Sequence, residues 1–451
     1  MSRIATIRGR VVNGARTALR SDFTAKAGWY TIVLIAERVI GVGQTIMLSR
    51  LLGIQDYGAY GVLFTTLGLV NTLVGFQSGL AATVFVSKYL HNDRARVAGV
   101  IRSLTLFSFI AGIAAVICLA PFYRPLSVLL YNQQGYETVT LLGVFLIAGS
   151  VWSGIQDGFA QGFESFKFLA QVRLLISIVT LPLIYLASID FGLAGAIAVL
   201  LLAALAKLAI LAVHIRILRG KFDIPRKGPA MPLRIVLVDF ALPTVCLGVC
   251  IGTAQWLGIF LLSRVHEGLS AAAIVNTGIQ WRSPALLITN SLGSVAIPRF
   301  SRYHGAGQAG DSARLRRKVA VLSGALALAT SAPFIALAPW IMDAYGPGFR
   351  AGLLPFSLIL LSTVPTAISS VYLQEMIGAA KMWRQLWIQL PCAALMAVIF
   401  VVLVPTHGAM GYAAGLLVSS IALVALTLLF ARAADREHIQ LARASSDGGI
   451  L

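Results

Sequence analysis

The sequence predicts an all-α membrane protein that crosses the bilayer twelve times and is organised as two six-helix lobes. Of its 451 residues, 58% are hydrophobic and only 12% are charged, and the mean hydropathy is +0.84. A soluble domain does not bury that much apolar surface, since soluble chains are about 25% charged. The apolar residues come in blocks of about 20 or more, the length a helix needs to cross about 30 Å of hydrocarbon.

Helices are predicted because a helix satisfies every backbone polar group within its own segment. The alternation of apolar and polar residues that a membrane barrel requires is absent from the sequence. Twelve apolar blocks have the length of a spanning helix, and they cover approximately residues 29–51, 58–86, 98–120, 139–162, 170–189, 191–215, 236–262, 270–297, 319–342, 351–378, 385–404 and 408–431.

The basic residues indicate the orientation. The chain has 36 Lys and Arg against 17 Asp and Glu. With the N-terminus in the cytoplasm, most of the basic residues fall in the two tails and the even-numbered loops, and the opposite side holds only Arg50, Arg124, Arg264 and Arg350. This asymmetry follows the positive-inside rule and predicts that both termini are cytoplasmic. The positive charge is therefore a topology signal, and no nucleic-acid partner is expected.

An internal repeat predicts that the two halves share one plan. SKY at 87–89 recurs as SRY at 301–303, 214 residues later, and SR at 49–50 recurs as SR at 263–264 at the same offset. Further along, DFGLAG at 190–195 corresponds to THGAMG at 406–411, at an offset of 216. Six crossings per copy give both copies the same orientation. We therefore expect a pseudo-two-fold axis along the membrane normal and a site at the midplane between the lobes.

The spans and the repeat together set the domain boundaries. The segment 216–235 is rich in basic residues and prolines and is predicted to be a cytoplasmic linker that lets the lobes move relative to each other. The full division is a basic cytoplasmic tail at 1–28, an N-lobe with spans 1–6 at 29–215, the linker at 216–235, a C-lobe with spans 7–12 at 236–431 and a cytoplasmic tail at 432–451.

Four segments resemble a known family. LSRLLGIQDYGAYGVLFTTLGLVNTLVGFQSGLAATVFVSKYL resembles the span 1–2 region of polysaccharide flippases of the multidrug/oligosaccharidyl-lipid/polysaccharide (MOP) superfamily, including the acidic-Tyr-Gly turn at 56–58. GSVAIPRFSRYHGAG is similar to the end of their span 8. MDAYGPGFRAGLLPFSLILLSTV and GAAKMWRQLWIQLP…GAMGYAAG are similar to their turn into span 10 and their spans 11–12. The four segments occur in order and at matching topological positions.

The resemblance implies a V-shaped bundle of two lobes, the MOP-type fold, that works by alternating access. Members of this group move undecaprenyl-pyrophosphate-linked sugars from the cytoplasmic to the outer leaflet of the bacterial inner membrane. Twelve spans favour the O-antigen or exopolysaccharide branch. The expected partners are the lipid-linked oligosaccharide, membrane lipids, and a polysaccharide polymerase with its export machinery. The coupling ion is left open between H⁺ and Na⁺.

Span 1 carries an adjacent pair of charges, Glu37 and Arg38, at membrane depth. Ionisable residues there are costly and are candidates for function. Glu37, Gly41 and Gln44 form one stripe of a helix, polar or small enough to line a cavity. Arg38 and Gln44 are therefore candidate substrate-binding residues, and Glu37 is the candidate sensor of a coupling cation. The alternative is a structural ion pair between Arg38 and an acidic residue of another helix.

Span 8 carries the clearest polar stripe in the sequence: Asn276, Gln280, Ser283 and Asn290 lie on one helical face, with Arg282 beside them. The corresponding residues of the first copy are mostly apolar, so packing does not require this stripe. Asn276, Gln280 and Arg282 are expected to contact substrate, because amides suit sugar hydroxyls and a guanidinium suits phosphate. The alternative is that the stripe forms hydrogen bonds between helices.

Five further residues are candidates. Lys207 in span 6 is predicted either to neutralise phosphate or to pair with an acidic residue. Asp157 and Gln161 share a face near the cytoplasmic end of span 4 and are predicted to form part of a gate. Arg50 and Arg264, the repeated outside pair, are predicted either to meet phosphate on release or to cap helix ends.

Two rival functions remain open. A drug exporter of the same superfamily is expected to have more acidic residues in its cavity. A membrane enzyme of polysaccharide assembly is expected to have a larger outside loop than the longest one here, at about 121–138. No phosphate-binding P-loop is present, so hydrolysis of ATP by this chain is not predicted. The four cysteines lie within spans without histidine or acidic neighbours, and neither a metal nor a cofactor is expected.

Overall fold

The structure, a computed structural model, describes residues 2–90, 92–225, 228, 242–305, 308–378 and 382–447; side chains before Val33 and after Ala431 lie outside the description. Throughout these ranges the regular structure is helical. The helices are α1 (Ser2–Gly75), α2 (Ser78–Tyr89), α3 (Arg94–Leu119), α4 (Tyr123–Tyr131), α5 (Glu137–Gly162), α6 (Phe166–Lys221), α7 (Leu242–Leu262), α8 (Gly268–Gly305), α9 (Ala309–Ala336), α10 (Ala338–Tyr345), α11 (Leu353–Leu361), α12 (Thr363–Gly378) and α13 (Met382–Asp447). Two 3₁₀ turns, Ala120–Phe122 and Phe349–Gly352, complete them.

In the described part of the chain, three long helices are interrupted by a kink at a glycine. Gly53 in α1, Gly192 in α6 and Gly408 in α13 have positive φ values of 78°, 58° and 52°, so each divides its helix into two. Side chains other than glycine disfavour this backbone region. Gly192 and Gly408 occupy corresponding positions of the repeat and adopt nearly the same torsions, with ψ of −141° and −129°. The duplication read from short sequence motifs is therefore visible in the backbone.

Eight stretches of the described residues are long and apolar enough to cross a membrane, and three of them contain one of these glycines. They are Ile35–Gly75, Arg94–Tyr131, Glu137–Gly162, Phe166–Lys221, Val245–Leu262, Gly310–Ala336, Phe349–Ile377 and Trp383–Ala431. Helix α8, with 38 residues, is the one that carries the polar stripe. The prediction of an all-helical, multi-pass membrane protein is confirmed.

The helix boundaries differ from the sequence prediction in several places. The predicted second span is broken between α1 and α2, where Phe76 and Gln77 have left-handed backbone. The predicted loop at 121–138 contains α4, and the predicted cytoplasmic tails continue the first and last helices. The predicted linker at 216–235 begins as the end of α6 and then lies mostly outside the described residues. A propensity argument misses the break because neither Phe76 nor Gln77 is a glycine or proline.

The buried side chains that the structure describes form one shared core and two separate cores. The shared core contains residues from both halves of the chain, among them Tyr57 and Tyr345, at the end of the bundle that carries Gly53. The second core includes Phe85, Phe159 and other residues of the first half only, and the third includes Phe300 and other residues of the second half only. The halves are thus packed together at one end, which the charge distribution predicts to be the outer end. At the opposite end each half packs on itself.

Candidate functional site

A polar cavity of about 200 Å³ lies between the two halves. It brings together four of the predicted site residues, which the chain supplies from α1 and α8. The lining residues are Glu37, Arg38, Gly41, Val42, Gln44, Thr45, Tyr60, Ser177, Gln280 and Pro284. Tyr60 and Ser177 were not candidates from the sequence, because a single tyrosine or serine in an apolar span carries no pattern.

Helical periodicity in α1 explains how these side chains come to one place. Glu37, Gly41 and Gln44 are spaced by four and three residues, so they share a face, and all three line the cavity. A Cβ on Gly41 would meet no atom within 4 Å, so this glycine borders open space. Gln280 and Pro284 enter from α8 in the same way, one turn apart.

An apolar cavity of about 480 Å³ adjoins the polar one. It lies between α1, α8 and α9, and its walls include Ile35, Trp281 and Phe334. The two cavities share Arg38, Val42 and Pro284. One side of this site therefore offers amide, hydroxyl and charged groups, and the other side offers hydrocarbon.

Arg38 lies between the two cavities, and its guanidinium has no ionic partner among the described residues. Its side chain is exposed, and it forms no salt bridge or hydrogen bond within the described part of the chain. The alternative of a structural ion pair with an acidic residue is not realised among these residues. A guanidinium offers five N–H donors in a planar fork that fits a phosphate group.

Arg282 and Asn276 of α8 do not line the polar cavity. Arg282 donates from Nη2 to Thr366 Oγ1 at 2.8 Å, while its Nε is buried without a hydrogen-bond partner. Asn276 is buried where α8 packs on α1, and a Cβ on Gly61 would lie 2.9 Å from the Asn276 Cβ. The Nδ2 of Asn276 has no hydrogen-bond partner. The side chain of Asn290 lies outside the described residues.

A second cluster of charges lies inside the first half. Asp157 Oδ2 accepts hydrogen bonds from Lys207 Nζ at 2.6 Å and from Arg173 Nη2 at 3.1 Å. Lys207 thus pairs with an acidic residue, one of the two alternatives that the sequence left open. Gln161 is half-buried one turn beyond Asp157 on α5. None of Asp157, Gln161 and Lys207 lines the polar cavity.

Arg173 is a residue that sequence reasoning missed. Arg173 lies near the start of a predicted span, and the charge pattern therefore groups it with the basic residues of a cytoplasmic loop. It lies one helical turn from Ser177, which lines the polar cavity. Its position could have identified it as a candidate, because Arg173 is the fourth residue of the apolar block that begins at 170.

Arg50 and Arg264 lie at the predicted outer end, and each reaches into the opposite half. Arg50 donates from Nε to Ala344 O at 2.7 Å and from Nη2 to Asp343 O at 2.6 Å, at the last turn of α10. Arg264 donates to Leu129 O and, from Nη1 at 3.1 Å, to Asn132 Oδ1, at the end of α4. Both arginines therefore cap helix ends, one of the two alternatives predicted for them.

Asp343 also takes part in an ion pair at this end. Arg350 donates to both of its carboxylate oxygens, at 2.5 and 2.6 Å. Hydrogen bonds from Arg350, together with the nearby charge of Arg50, hold the pKa of the Asp343 carboxyl below its usual value. The carboxylate thus stays ionised while the last carbonyl groups of α10 bind Arg50.

Further contacts join the halves near this end. Thr45 Oγ1 and Tyr345 Oη are 2.9 Å apart, and Ser49 Oγ donates to Tyr345 O at 2.9 Å. Gly58 approaches α8 so closely that a Cβ there would lie 1.8 Å from Leu269 O. Because this contact leaves no room for any side chain, the outer segments of α1 and α8 are closed against each other.

The model of a protein family described as "Polysaccharide biosynthesis protein" matches residues 23–304, which is more than half of the chain. The chain is also similar to the EPS I polysaccharide export inner membrane protein EpsE of Ralstonia solanacearum. The two are 24% identical over 374 residues, which is 81% of this chain and 83% of that protein.

Two solved structures have a similar fold. One is the inward-facing conformation of a multidrug resistance MATE family transporter of the MOP superfamily, with a TM-score of 0.73, 14% identity, and coverage of 90% of this chain and 96% of that one. The other is the lipid II flippase MurJ in an inward closed conformation, with a TM-score of 0.71, 13% identity, and coverage of 90% and 87%. The family match confirms the predicted relationship to polysaccharide biosynthesis proteins, and the two structures show that the chain has the fold that the MATE family transporter and MurJ share.

Proposed function

Because the chain belongs to the polysaccharide biosynthesis protein family, we propose that it is a flippase that moves undecaprenyl-pyrophosphate-linked oligosaccharide across the bacterial inner membrane. The observation that carries this proposal is the position of Arg38. Its guanidinium, which no described residue pairs with, lies where a polar cavity and a larger apolar cavity meet. A lipid with an anionic head that carries sugar needs a polar cavity for the head and an apolar cavity for the chain. The two cavities must meet where its phosphate lies.

The architecture we infer has twelve spans and cytoplasmic termini. The three glycine-divided helices count as two spans each, and α8 adds one to the eight apolar stretches. The lobes correspond to 29–215 and 236–431. The shared core at the predicted outer end and the separate cores opposite it fit a cleft between the lobes that opens toward the cytoplasm.

The chemical logic concerns the charged head. A pyrophosphate does not enter hydrocarbon alone, because burying an uncompensated charge is prohibitive. Arg38 supplies charge-assisted hydrogen bonds to it, and Gln44 and Gln280 supply amides for sugar hydroxyls. The prenyl chain lies in the apolar cavity beside Trp281 and in the adjoining lipid.

Movement of the substrate follows from rocking of the lobes about this site. Arg282, with its buried and unpartnered Nε, is proposed as a second phosphate ligand that becomes available as α8 moves away from α12. Glu37 is proposed to respond to a coupling H⁺ or Na⁺. A polysaccharide polymerase and its export machinery are the proposed partners on the outer side.

The direct test measures transfer between leaflets. Purified protein is reconstituted in proteoliposomes that contain the lipid-linked oligosaccharide, and a glycosidase added outside reports the heads exposed in the outer leaflet. Arg38→Ala is expected to reduce the initial rate roughly tenfold or more, the effect of losing a charged hydrogen bond. Arg38→Lys is expected to retain part of the rate. Arg314→Ala is the matched control, because Arg314 is exposed on α9.

Three results would contradict the proposal. Wild-type protein that leaves the oligosaccharide lipid in its original leaflet is not a flippase for it. Arg38→Ala flipping at the wild-type rate would remove the site assignment. Efflux of a cationic dye by wild-type protein, lost in Glu37→Gln and without any lipid transfer, would favour a drug exporter.

A further inference from the structure

We propose that a polar pocket at the break between α1 and α2 binds hydroxyl groups of the saccharide. The pocket has a volume of about 190 Å³. Its polar lining comes from Asn71, Thr72, Gln77, Ser78 and Ser150, and it shares no residue with the cavity that contains Arg38. The inference rests on the proposed flippase function and adds to it a second subsite, for the sugar portion of the substrate.

The break that creates this pocket is not required by the fold. Phe76 and Gln77 have φ values of 47° and 52°, a left-handed conformation that residues other than glycine disfavour. At an offset of 214, the corresponding positions of the second copy are 290 and 291, and α8 runs through both without interruption. Strained backbone that persists in only one copy of a repeat is typical of a functional position.

The pocket contains polar groups that the protein leaves unused. The side chains of Asn71, Gln77 and Ser78 form no hydrogen bond with any described residue, although Ser78 is only 3% exposed. The first N–H groups of α2 have no acceptor within their own helix either. By contrast, Thr72 and Ser150 donate to the carbonyl groups of Gly68 and Leu146. Asn71 and Gln77 are half-buried, so their amide groups are open to water or to a ligand in the pocket.

The chemistry of the lining selects the ligand. Two amides and a hydroxyl provide both donors and acceptors. None of the lining residues is ionisable, so the pocket lacks the charge that a pyrophosphate would require. Sugar hydroxyls donate and accept at the same atom and match this set. Arg38 therefore binds the charged pyrophosphate, and Gln77 binds sugar hydroxyls through neutral hydrogen bonds.

The pocket borders the cleft between the halves. A Cβ on Gly248 of α7 would lie 3.0 Å from Thr72 Cγ2 and 4.0 Å from Gln77 Nε2, so the second half faces the pocket with a residue that has no side chain. Measured along α1 at 1.5 Å per residue, the pocket residues from Asn71 to Gly75 lie about 27–33 Å from Gly53, and the cavity residues from Glu37 to Thr45 lie about 12–24 Å from it. The pocket is thus on the predicted cytoplasmic side of Arg38, where a head that enters from the cytoplasm arrives.

The test compares two lipids that differ only in the sugar. Binding of undecaprenyl pyrophosphate and of the same lipid carrying the host's oligosaccharide is measured with detergent-solubilised full-length protein. Asn71→Ala and Gln77→Ala are each expected to weaken binding of the glycosylated lipid about fivefold, the effect of one lost neutral hydrogen bond, and to leave binding of the bare lipid unchanged. Arg38→Ala is expected to weaken both.

A labelling experiment covers the case in which these variants do not fold. In Ser78→Cys, alkylation at position 78 is expected to be slowed by the glycosylated lipid and not by the bare lipid. Three results would overturn the subsite. Gln77→Ala could weaken binding of both lipids equally, it could leave binding of both unchanged, or the glycosylated lipid could fail to protect position 78 from alkylation. Wild-type protein that binds neither lipid would instead overturn the proposed function.

Discussion

Arg50 and Arg264 stand 214 residues apart in the sequence, and each donates hydrogen bonds to the end of a short helix in the opposite half. Arg50 binds the end of α10, and Arg264 binds the end of α4. Their neighbours repeat the pattern, because Ser49 donates to Ile46 O and Ser263 donates to Phe260 O, both at 2.8 Å. A positive charge at a helix C-terminus is favourable. The duplication has thus produced two reciprocal contacts that close one end of the molecule.

Removing these contacts is expected to open the predicted outer end. A cysteine reporter at Thr277, which is fully buried on α8, should become alkylated faster from outside in Arg50→Ala and in Arg264→Ala. The expected increase is about fivefold for each, from about 1 kcal/mol of lost hydrogen bonding, and the two effects should multiply. Arg124→Ala is the control, because Arg124 is exposed and its one hydrogen bond among the described residues is to Tyr123. Unchanged alkylation in the double variant would show that the arginines do not hold the closed state.

Gly58→Ala is expected to prevent closure of the same end. The added Cβ would lie 1.8 Å from Leu269 O, and backbone atoms cannot yield as a flexible side chain does. We expect faster alkylation of the Thr277→Cys reporter and a substantial loss of transport. Gly68→Ala is the matched control on the same helix, because a Cβ there would meet no atom within 4 Å. A Gly58→Ala protein with normal transport would contradict the close approach of α1 and α8.

The Asp157 cluster predicts an asymmetry between two substitutions. Lys207→Ala leaves Asp157 paired with Arg173, but Asp157→Ala leaves Lys207 and Arg173 side by side without this carboxylate. Breaking a buried ion pair costs about 3 to 5 kcal/mol when a charge is left uncompensated. The thermal midpoint in detergent should therefore fall further for Asp157→Ala than for Lys207→Ala. Equal losses would indicate that Asp157 does not bridge the two cations.

The repeat predicts matched effects at two distant glycines. Gly192→Ala and Gly408→Ala each place a Cβ on backbone with positive φ, in a sparsely populated region that costs about 1 to 3 kcal/mol. Both variants should lower the thermal midpoint by a similar amount. Gly43→Ala is the control, since Gly43 lies in open space within α1 and alanine favours a helix. Opposite signs for Gly192→Ala and Gly408→Ala would mean that the two turns are not structural equivalents.

Local periodicity explains which parts of the candidate site could be predicted. Glu37, Gly41 and Gln44 share a face because a helix has 3.6 residues per turn, and the structure places all three around one cavity. The same reasoning could not decide where Arg282 points. Adjacent helical residues are separated by about 100°, so Arg282 lies beside the face that Gln280 presents to the cavity, and periodicity does not say which way its long side chain extends. Packing against α12 directs the guanidinium to Thr366 and not to the cavity.

The sequence by itself determined the helical class, the membrane location and the duplicated plan, because hydropathy, charge placement and offset repeats are properties of the chain alone. Only the tertiary structure decided which charges meet. These contacts join residues that are tens to hundreds of positions apart in the chain. Lys207 meets Asp157, Arg50 meets the end of α10, and Arg38 lies between two cavities that are lined by distant helices. The break at Phe76–Gln77 belongs with them, because its strained backbone is held by the surrounding helices rather than by its own residues.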